Sequence, residues 1–355
     1  MEEGGHEELV FWRDRVTGLR AIVAIHDTTL GPALGGTRMY PYQSEAAAAE
    51  DVIRLAGAMT LKSAAAGLDV GGGKAVIIGD PARDKSEPLF RAYGRFLESL
   101  GGRYVTTTDV GTTVADLDVI RRETRFVAGT SPAMGGSGDT SVLTGLTVYL
   151  GMKAAAKEAF GRDDLGKRTV AVQGVGKVGW QLCKRLRAEN AVLVVADVDA
   201  DRARRAGQEF NARVVTTDEV WDVPCDVLSP NALGAVLNDE TIPRLRCRIV
   251  CGGANNQLAE ERHAAALQAR DILYAPDFIV NSGGVINVAE EMRGYSEERA
   301  TAVAQQVYDT THRIFAMAHR DGISTEEAAV RYAQDRIRTI GDIHRTYMPR
   351  WEVNA

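Results

Sequence analysis

The sequence predicts an α/β fold in two domains. Three observations carry this reading. The chain has 355 residues, and at roughly 150 residues per domain that length suits about two domains. Beyond residue 169, short apolar runs alternate with helical patterns, the rhythm of a parallel sheet covered by helices. Glycine is in excess, at 36 residues against an average of about 7%. The glycines gather at the ends of apolar runs, where a backbone turns or approaches something closely.

The elements follow in chain order. Residues 8–25 read as two strands around a turn at Thr17-Gly18. The Gly-rich stretch LGPALGGTRMYPY, 30–42, reads as a connection. Residues 44–66 form a helix pattern with Ser44 as N-cap. Next come a triple glycine and a short buried strand (66–80), a helix (86–100), and a strand running into a loop (102–113). The small-residue stretch 131–141 is the expected linker, which divides the chain at 135/136. A helix at 142–160 precedes a strand-helix-strand unit at 169–199. Further strands are expected at 214–217, 225–230, 247–255 and 271–281, and charged helix from about 296 to 345.

Composition removes several function classes. Lys plus Arg is 42 and Asp plus Glu is 48, for a net charge of −6, and no basic cluster marks a nucleic-acid partner. No apolar run reaches the ~18 residues of a membrane helix, and the acidic N-terminus has no apolar signal core. A cytoplasmic protein is expected. Cys183, Cys225, Cys247 and Cys251 form no Cys-x-x-Cys pair and have no histidine at ligand spacing. Reduced buried thiols and no metal site are therefore expected.

The strongest motif is Gly174-Val175-Gly176-Lys177-Val178-Gly179, a G-x-G-x-x-G between a β-branched run and a helical pattern. A second strand pattern ends at Asp197, 18 residues past Gly179. This is the βαβ fingerprint of a dinucleotide site. Gly174 permits the tight turn, Gly176 the approach of a pyrophosphate, and Gly179 close helix–strand packing, while the helix N-terminus attracts phosphate. Asp197 is expected to accept hydrogen bonds from the ribose hydroxyls, which favours NAD over NADP; Arg202 and Arg204 lie nearby as the opposing signal.

A second constellation lies earlier. Lys62 falls three residues after Met59 on one helix face. Lys74 follows Gly71-Gly72-Gly73 and opens an apolar run, in a pattern that is not a phosphate-binding Walker loop. A lysine there can be desolvated and brought toward a neutral, basic form. Asp109 follows another strand in TTTDVGT. By spacing alone, each of these three reads more readily as a solvated charge than as part of a site.

Taken together, LGPALGGTRMYPY, MTLKSAAAGLDVGGGKAVI, TTDVGTTVADLD, AVQGVGKVGW, CGGANNQL and YAPDFIVNSGGVINVAEE resemble the glutamate/leucine/phenylalanine/valine dehydrogenase family over nearly the whole chain, most closely its leucine and valine members. The resemblance implies an N-terminal α/β substrate-binding and oligomerisation domain (1–135). It also implies an NAD-binding Rossmann domain (136–324) and a C-terminal helical return (325–355) to the first domain. The implied reaction is reversible oxidative deamination of an L-amino acid by NAD⁺ and water. By motif, Lys62 matches the lysine that holds the substrate carboxylate, and Lys74 the catalytic lysine that activates water. Asp109 matches the acid that relays protons to the amino group. Thr144 and Asn255 match residues near the nicotinamide.

The substrate class follows from the same comparison. Glutamate enzymes of the family carry a lysine where this chain has Leu34, and a hydroxyl where it has Val288. Leu34, adjoining Gly35, with Met59, Val285 and Val288, is expected to form an aliphatic pocket. An unpaired substrate carboxylate buried there would cost several kcal/mol. Valine, leucine and isoleucine are the expected substrates, with phenylalanine dehydrogenase as the alternative within the family. A non-catalytic NAD-binding sensor is the alternative outside it, and would be expected to lack Lys74 or Asp109. A 2-hydroxy-acid dehydrogenase would want a histidine near the nicotinamide, and none occurs between residues 27 and 262. The partners expected are the amino acid or 2-oxo acid and further copies of the chain, from dimer to octamer, with neither nucleic acid nor membrane.

Overall fold

In the computed structural model, which describes residues 5–344, the chain divides into two units. One comprises the residues up to Val127 with those from Arg331 onward; the other is Ala128–Val330. The sequence reading sets these divisions at 135/136 and 324/325.

The first unit opens with β1 (Glu8–Arg13), β2 (Arg20–Asp27) and β3 (Ala33–Tyr40). Then follow α1 (Glu45–Ala65), β4 (Gly71–Ile78), α2 (Glu87–Ser99), β5 (Tyr104–Thr108) and α3 (Val114–Ile120). The strand order is β1-β2-β4-β3-β5. β1 and β2 run antiparallel to their neighbours, whereas β3 is parallel to both β4 and β5. The stretch 30–42 departs from its reading as a connection, because β3 is an interior strand of the sheet, paired on both sides with β4 and β5. Its glycines hide the alternation that marks a strand. The triple glycine likewise belongs to β4 itself.

Period-2 alternation sorts the side chains. Ala75 and Ile77 of β4, with Ala33 and Met39 of β3, pack under α2 and α3 on Phe90, Tyr93 and Leu117. Val76 and Ile78 face α1 through Ala48, Val52 and Ala56. Lys74 therefore shares the α1 side of the sheet. Leu34 and Arg38 share it too, since they pair with Gly72 and Val76 of the same strand. Ser44 caps α1 as its sequence suggests, its hydroxyl accepting from the Ala47 N–H.

The second unit begins with α4 (Ser141–Phe160), β6 (Thr169–Gln173), α5 (Lys177–Ala188), β7 (Val192–Ala196), α6 (Ala200–Phe210) and β8 (Arg213–Val214). It continues through β9 (Val227–Pro230), β10 (Ile249–Val250), α7 (Arg262–Gln268), β11 (Leu273–Tyr274), α8 (Asp277–Val280) and α9 (Gly283–Glu291). The helices α10 (Glu297–Gln305), α11 (Val307–Asp321) and α12 (Thr325–His344) complete the described chain. The six strands are all parallel, in the order β11-β10-β9-β6-β7-β8. This is the doubly wound arrangement, with β6 at the point where strand order reverses. Three strand expectations are shortened: within 214–217 only Val214 pairs, and within 247–255 only Ile249–Val250. Within 271–281 only Leu273–Tyr274 pairs, because Pro276 has no N–H to continue the ladder and leads into α8.

The four cysteines are free thiols, all buried except the half-buried Cys225. Among the described residues, no helix is long and apolar enough to cross a membrane.

Candidate functional site

In the first unit, helix α1 crosses β4 closely. A Cβ on Gly72 would lie 2.1 Å from the Thr60 backbone nitrogen, so only glycine lets the helix sit there. Lys62 lies two residues past Thr60 along the helix, and Lys74 two residues past Gly72 along the strand. Lys62 and Met59 are half-buried, and Gly35 and Leu34 are fully buried in β3.

Lys74 is only 6% exposed. Its Nζ lies 3.0 Å from Oδ2 of Asp109, which follows β5 directly. Space for that carboxylate comes from Gly36, where a Cβ would stand 2.9 Å from the Asp109 Cβ. The structure thus brings Lys74 and Asp109 into one ion pair.

Burial is the largest influence on the Lys74 amine and pulls it below the ordinary lysine range. Asp109 opposes this and Arg38 adds to it. For Asp109, burial works upward, but the Lys74 and Arg38 cations outweigh it and hold the carboxyl below its ordinary range. The pair is therefore an anion beside an amine that releases its proton more readily than a surface lysine.

Three members of this cluster escape the sequence reading. Arg38 Nε donates to the same Asp109 Oδ2 at 2.9 Å, and Arg38 Nη1 donates to Asp51 Oδ2 at 2.8 Å. The Tyr42 hydroxyl donates to that Asp51 oxygen at 2.6 Å. The available signal was Arg38 in alternation with Leu34 and Gly36, and it becomes visible only once 33–40 is recognised as a strand.

In the second unit, the glycine loop joins β6 to α5. Gly174 has φ +92°, and a Cβ on Gly179 would stand 2.0 Å from the Gly174 carbonyl oxygen. Gly176 caps α5 without a side-chain hydrogen bond, and a Cβ there would meet nothing within 4 Å. The first N–H groups of α5 thus open onto free space, an anion site with room for a phosphate. An open cleft of about 670 Å³ adjoins it, lined by residues including Val175, Gly176, Lys177, Asp199, Arg202 and Arg205. These features fit a dinucleotide. Val178 packs toward Gly253, and Lys177 Nζ lies 3.3 Å from Asp139 Oδ2.

Asp197 follows β7 directly, beside this loop, with its side chain 5% exposed. It accepts the Val175 N–H and the Asp199 N–H, each at 2.9 Å, and Arg202 Nη1 at 3.2 Å. A carboxylate offers about four acceptor positions, so three are taken by the protein itself. Arg202 also pairs with Asp199 at 3.2 Å.

Thr144 on α4 is buried and donates to the Thr140 carbonyl. Asn255, in the loop beyond β10, accepts from Asn281 Nδ2 at 2.8 Å. Val285 and Val288 are buried on α9, three residues apart on one face. Leu34 and Met59 belong to the first unit and these two valines to the second.

Two family descriptions match the chain. The Glu/Leu/Phe/Val dehydrogenase dimerisation domain covers residues 7–126. The Glutamate/Leucine/Phenylalanine/Valine dehydrogenase domain covers 199–340. The chain belongs to this dehydrogenase family. It is 54% identical to a leucine dehydrogenase of Thermoactinomyces intermedius over 98% of this chain and 95% of that one. It is 53% identical to a valine dehydrogenase of Streptomyces coelicolor over 95% of this chain and 93% of that one. The crystal structure of L-tryptophan dehydrogenase from Nostoc punctiforme superposes with a TM-score of 0.85 at 43% identity, covering 96% of this chain and 98% of that one. Family membership fits both the lysine–aspartate pair and the dinucleotide loop.

Proposed function

We propose that the protein catalyses the reversible oxidative deamination of branched-chain L-amino acids to 2-oxo acids and ammonium, with NAD as cofactor. The observation that carries this reading is the buried Lys74–Asp109 pair at 3.0 Å. NAD⁺, when bound, supplies the acceptor for the hydride leaving Cα. Lys62 binds the substrate carboxylate as a fixed cation. The neutral Lys74 amine takes a proton from the water that attacks the resulting iminium carbon. Asp109 passes protons to and from the substrate nitrogen, so that ammonia leaves protonated. Burial supports Lys74 in the role of base, because it lowers the cost of holding the amine neutral.

Leu34 carries the argument for an aliphatic side chain. It is fully buried, on the same sheet face as Lys74, and offers no charge to a substrate carboxylate. NAD is favoured over NADP because Asp197 and Asp199 surround the Arg202 guanidinium and would repel a 2′-phosphate. Roles beside the nicotinamide are assigned to Thr144 and Asn255. Homo-oligomeric assembly in the cytoplasm completes the reading; the description matched at residues 7–126 is itself that of a dimerisation domain.

The test is NADH formation at 340 nm from a panel of L-amino acids. Leucine, valine and isoleucine are expected to lead, with glutamate a very poor substrate. A preference for glutamate would overturn the substrate class. A preference for phenylalanine or tryptophan would move the protein to the aromatic members of the family.

A further inference from the structure

Arg38 stands outside every role assigned above, yet it occupies the same carboxylate oxygen as Lys74. Its Nε lies 2.9 Å from Asp109 Oδ2, and Lys74 Nζ lies 3.0 Å from that atom. Its other arm is held by Asp51 Oδ2 at 2.8 Å, and Asp51 is itself held by Tyr42 and by Arg54. The guanidinium therefore bridges α1 and the end of β5, its two arms fixed by two carboxylates. We propose that Arg38 is a positioning residue of the site: its guanidinium clamps the Asp109 carboxylate against Lys74 and sets a permanent cation beside the amine. This rests on the reading of Lys74 and Asp109 as the reacting pair.

The physical reason is the sharing of one oxygen by two cations. Arginine does not release its proton in a protein. When two cations crowd one carboxylate oxygen, the member that gives up its charge is Lys74. The direction of the Arg38 influence on Lys74 agrees with this, as does the Asp51 influence in the opposite sense. The surrounding elements also carry Glu45, Glu50, Arg54 and Lys62 on α1, Arg20, His26 and Asp27 on β2, Tyr40 on β3 with Tyr42 beyond it, and Tyr104 on β5. The Tyr104 hydroxyl is committed to the Gly35 carbonyl. Planarity matters as well. Only a guanidinium presents Nε to one carboxylate and Nη1 to another in fixed geometry, whereas an ammonium is a single point charge.

The experiment is competitive acetylation of the full-length protein with acetic anhydride across pH, with the Lys74 peptide quantified by mass spectrometry. The labelling midpoint reports the protonation of Lys74 whether or not the enzyme turns over. Arg38→Gln is expected to raise the midpoint by about half a pH unit or more, roughly threefold in the ratio of neutral to charged amine. Arg38→Lys keeps the cation and returns the midpoint toward wild type, but loses the bridge, so kcat falls about tenfold or more with little change in KM. A midpoint that does not move in Arg38→Gln overturns the proposal, as does an Arg38→Lys midpoint matching that of Arg38→Gln. Should Arg38→Gln fail to fold, Asp51→Asn carries the test with opposite sign: loss of an anion lowers the midpoint, and no movement overturns the proposal. Wild-type protein without leucine-dependent NADH formation would instead defeat the proposed function, and the labelling result would still judge the clamp.

Discussion

Replacing Lys74 with methionine is expected to separate activity from stability. Methionine matches the lysine stem and lacks its amine, so the proposed base is lost while the space stays filled. Loss of a general base costs about 10²–10⁴ in kcat, and at 10³ this is about 4 kcal/mol of barrier. Stability is expected to move the other way. Lys74 is buried, and that burial is the largest influence on its amine, so the folded protein bears a desolvation cost that methionine removes. Removing one partner of a buried pair normally strands the other at about 3–5 kcal/mol. Here Asp109 keeps Arg38 at 2.9 Å, and the anion is not stranded. The net expectation is a folded state unchanged or stabilised by about 1–2 kcal/mol, a rise of a few degrees in Tm. The measurements are kcat with saturating leucine and NAD⁺, NAD binding by fluorescence quenching, and thermal unfolding by circular dichroism. Turnover within tenfold of wild type would refute the base assignment. A Tm lowered by five degrees or more would refute the electrostatic reasoning, since it would mean that Arg38 does not satisfy Asp109 alone.

Leu34→Ala removes three heavy atoms from a fully buried position, so the phenylalanine-to-valine ratio of kcat/KM is expected to rise tenfold or more, at a stability cost of about 2–5 kcal/mol; an unchanged ratio would show that Leu34 does not meet the substrate side chain. With Asp197 and Asp199 around Arg202, NAD is expected to exceed NADP by at least tenfold in kcat/KM, about 1.4 kcal/mol, and equal use of the two defeats the assignment. Burial, aided by the neighbouring Asp277 carboxylate, pushes the Glu326 carboxyl up to about 8 from an ordinary 4.5. Between those values the folded protein holds a proton that the unfolded chain has released, so folding stability declines as pH rises through that window, by an amount on the order of a few kcal/mol. Glu326→Gln is expected to gain more Tm at pH 9 than at pH 5, and equal gains at both would rule out a proton held at Glu326.

The dinucleotide loop was legible in the sequence because its signals are local. Gly174, Gly176 and Gly179 are required by one turn and one helix start, so strand, glycines and helix can be read within a few consecutive residues. The apolar alternation that pairs β1 with β2 and the Ser44 cap of α1 are local in the same way. Lys74 and Asp109 stood out only through their motifs, since no sequence spacing states that residues 35 apart meet at 3.0 Å. Tertiary structure decided the remainder. The interior strand β3 was hidden because it carries Gly35 and Gly36, which let the β4 backbone and Asp109 approach, and glycine erases the apolar alternation by which a strand is recognised. With β3 hidden, Arg38 had no face, and its partnership with Asp109 and Asp51 had no trace in the chain. Asp197 was found at the correct strand end, but that its carboxylate is largely committed to Val175, Asp199 and Arg202 is a fact of packing. Local backbone demands are written in consecutive residues, whereas the sharing of one buried carboxylate by two cations exists only once separate strands and a helix have brought them together.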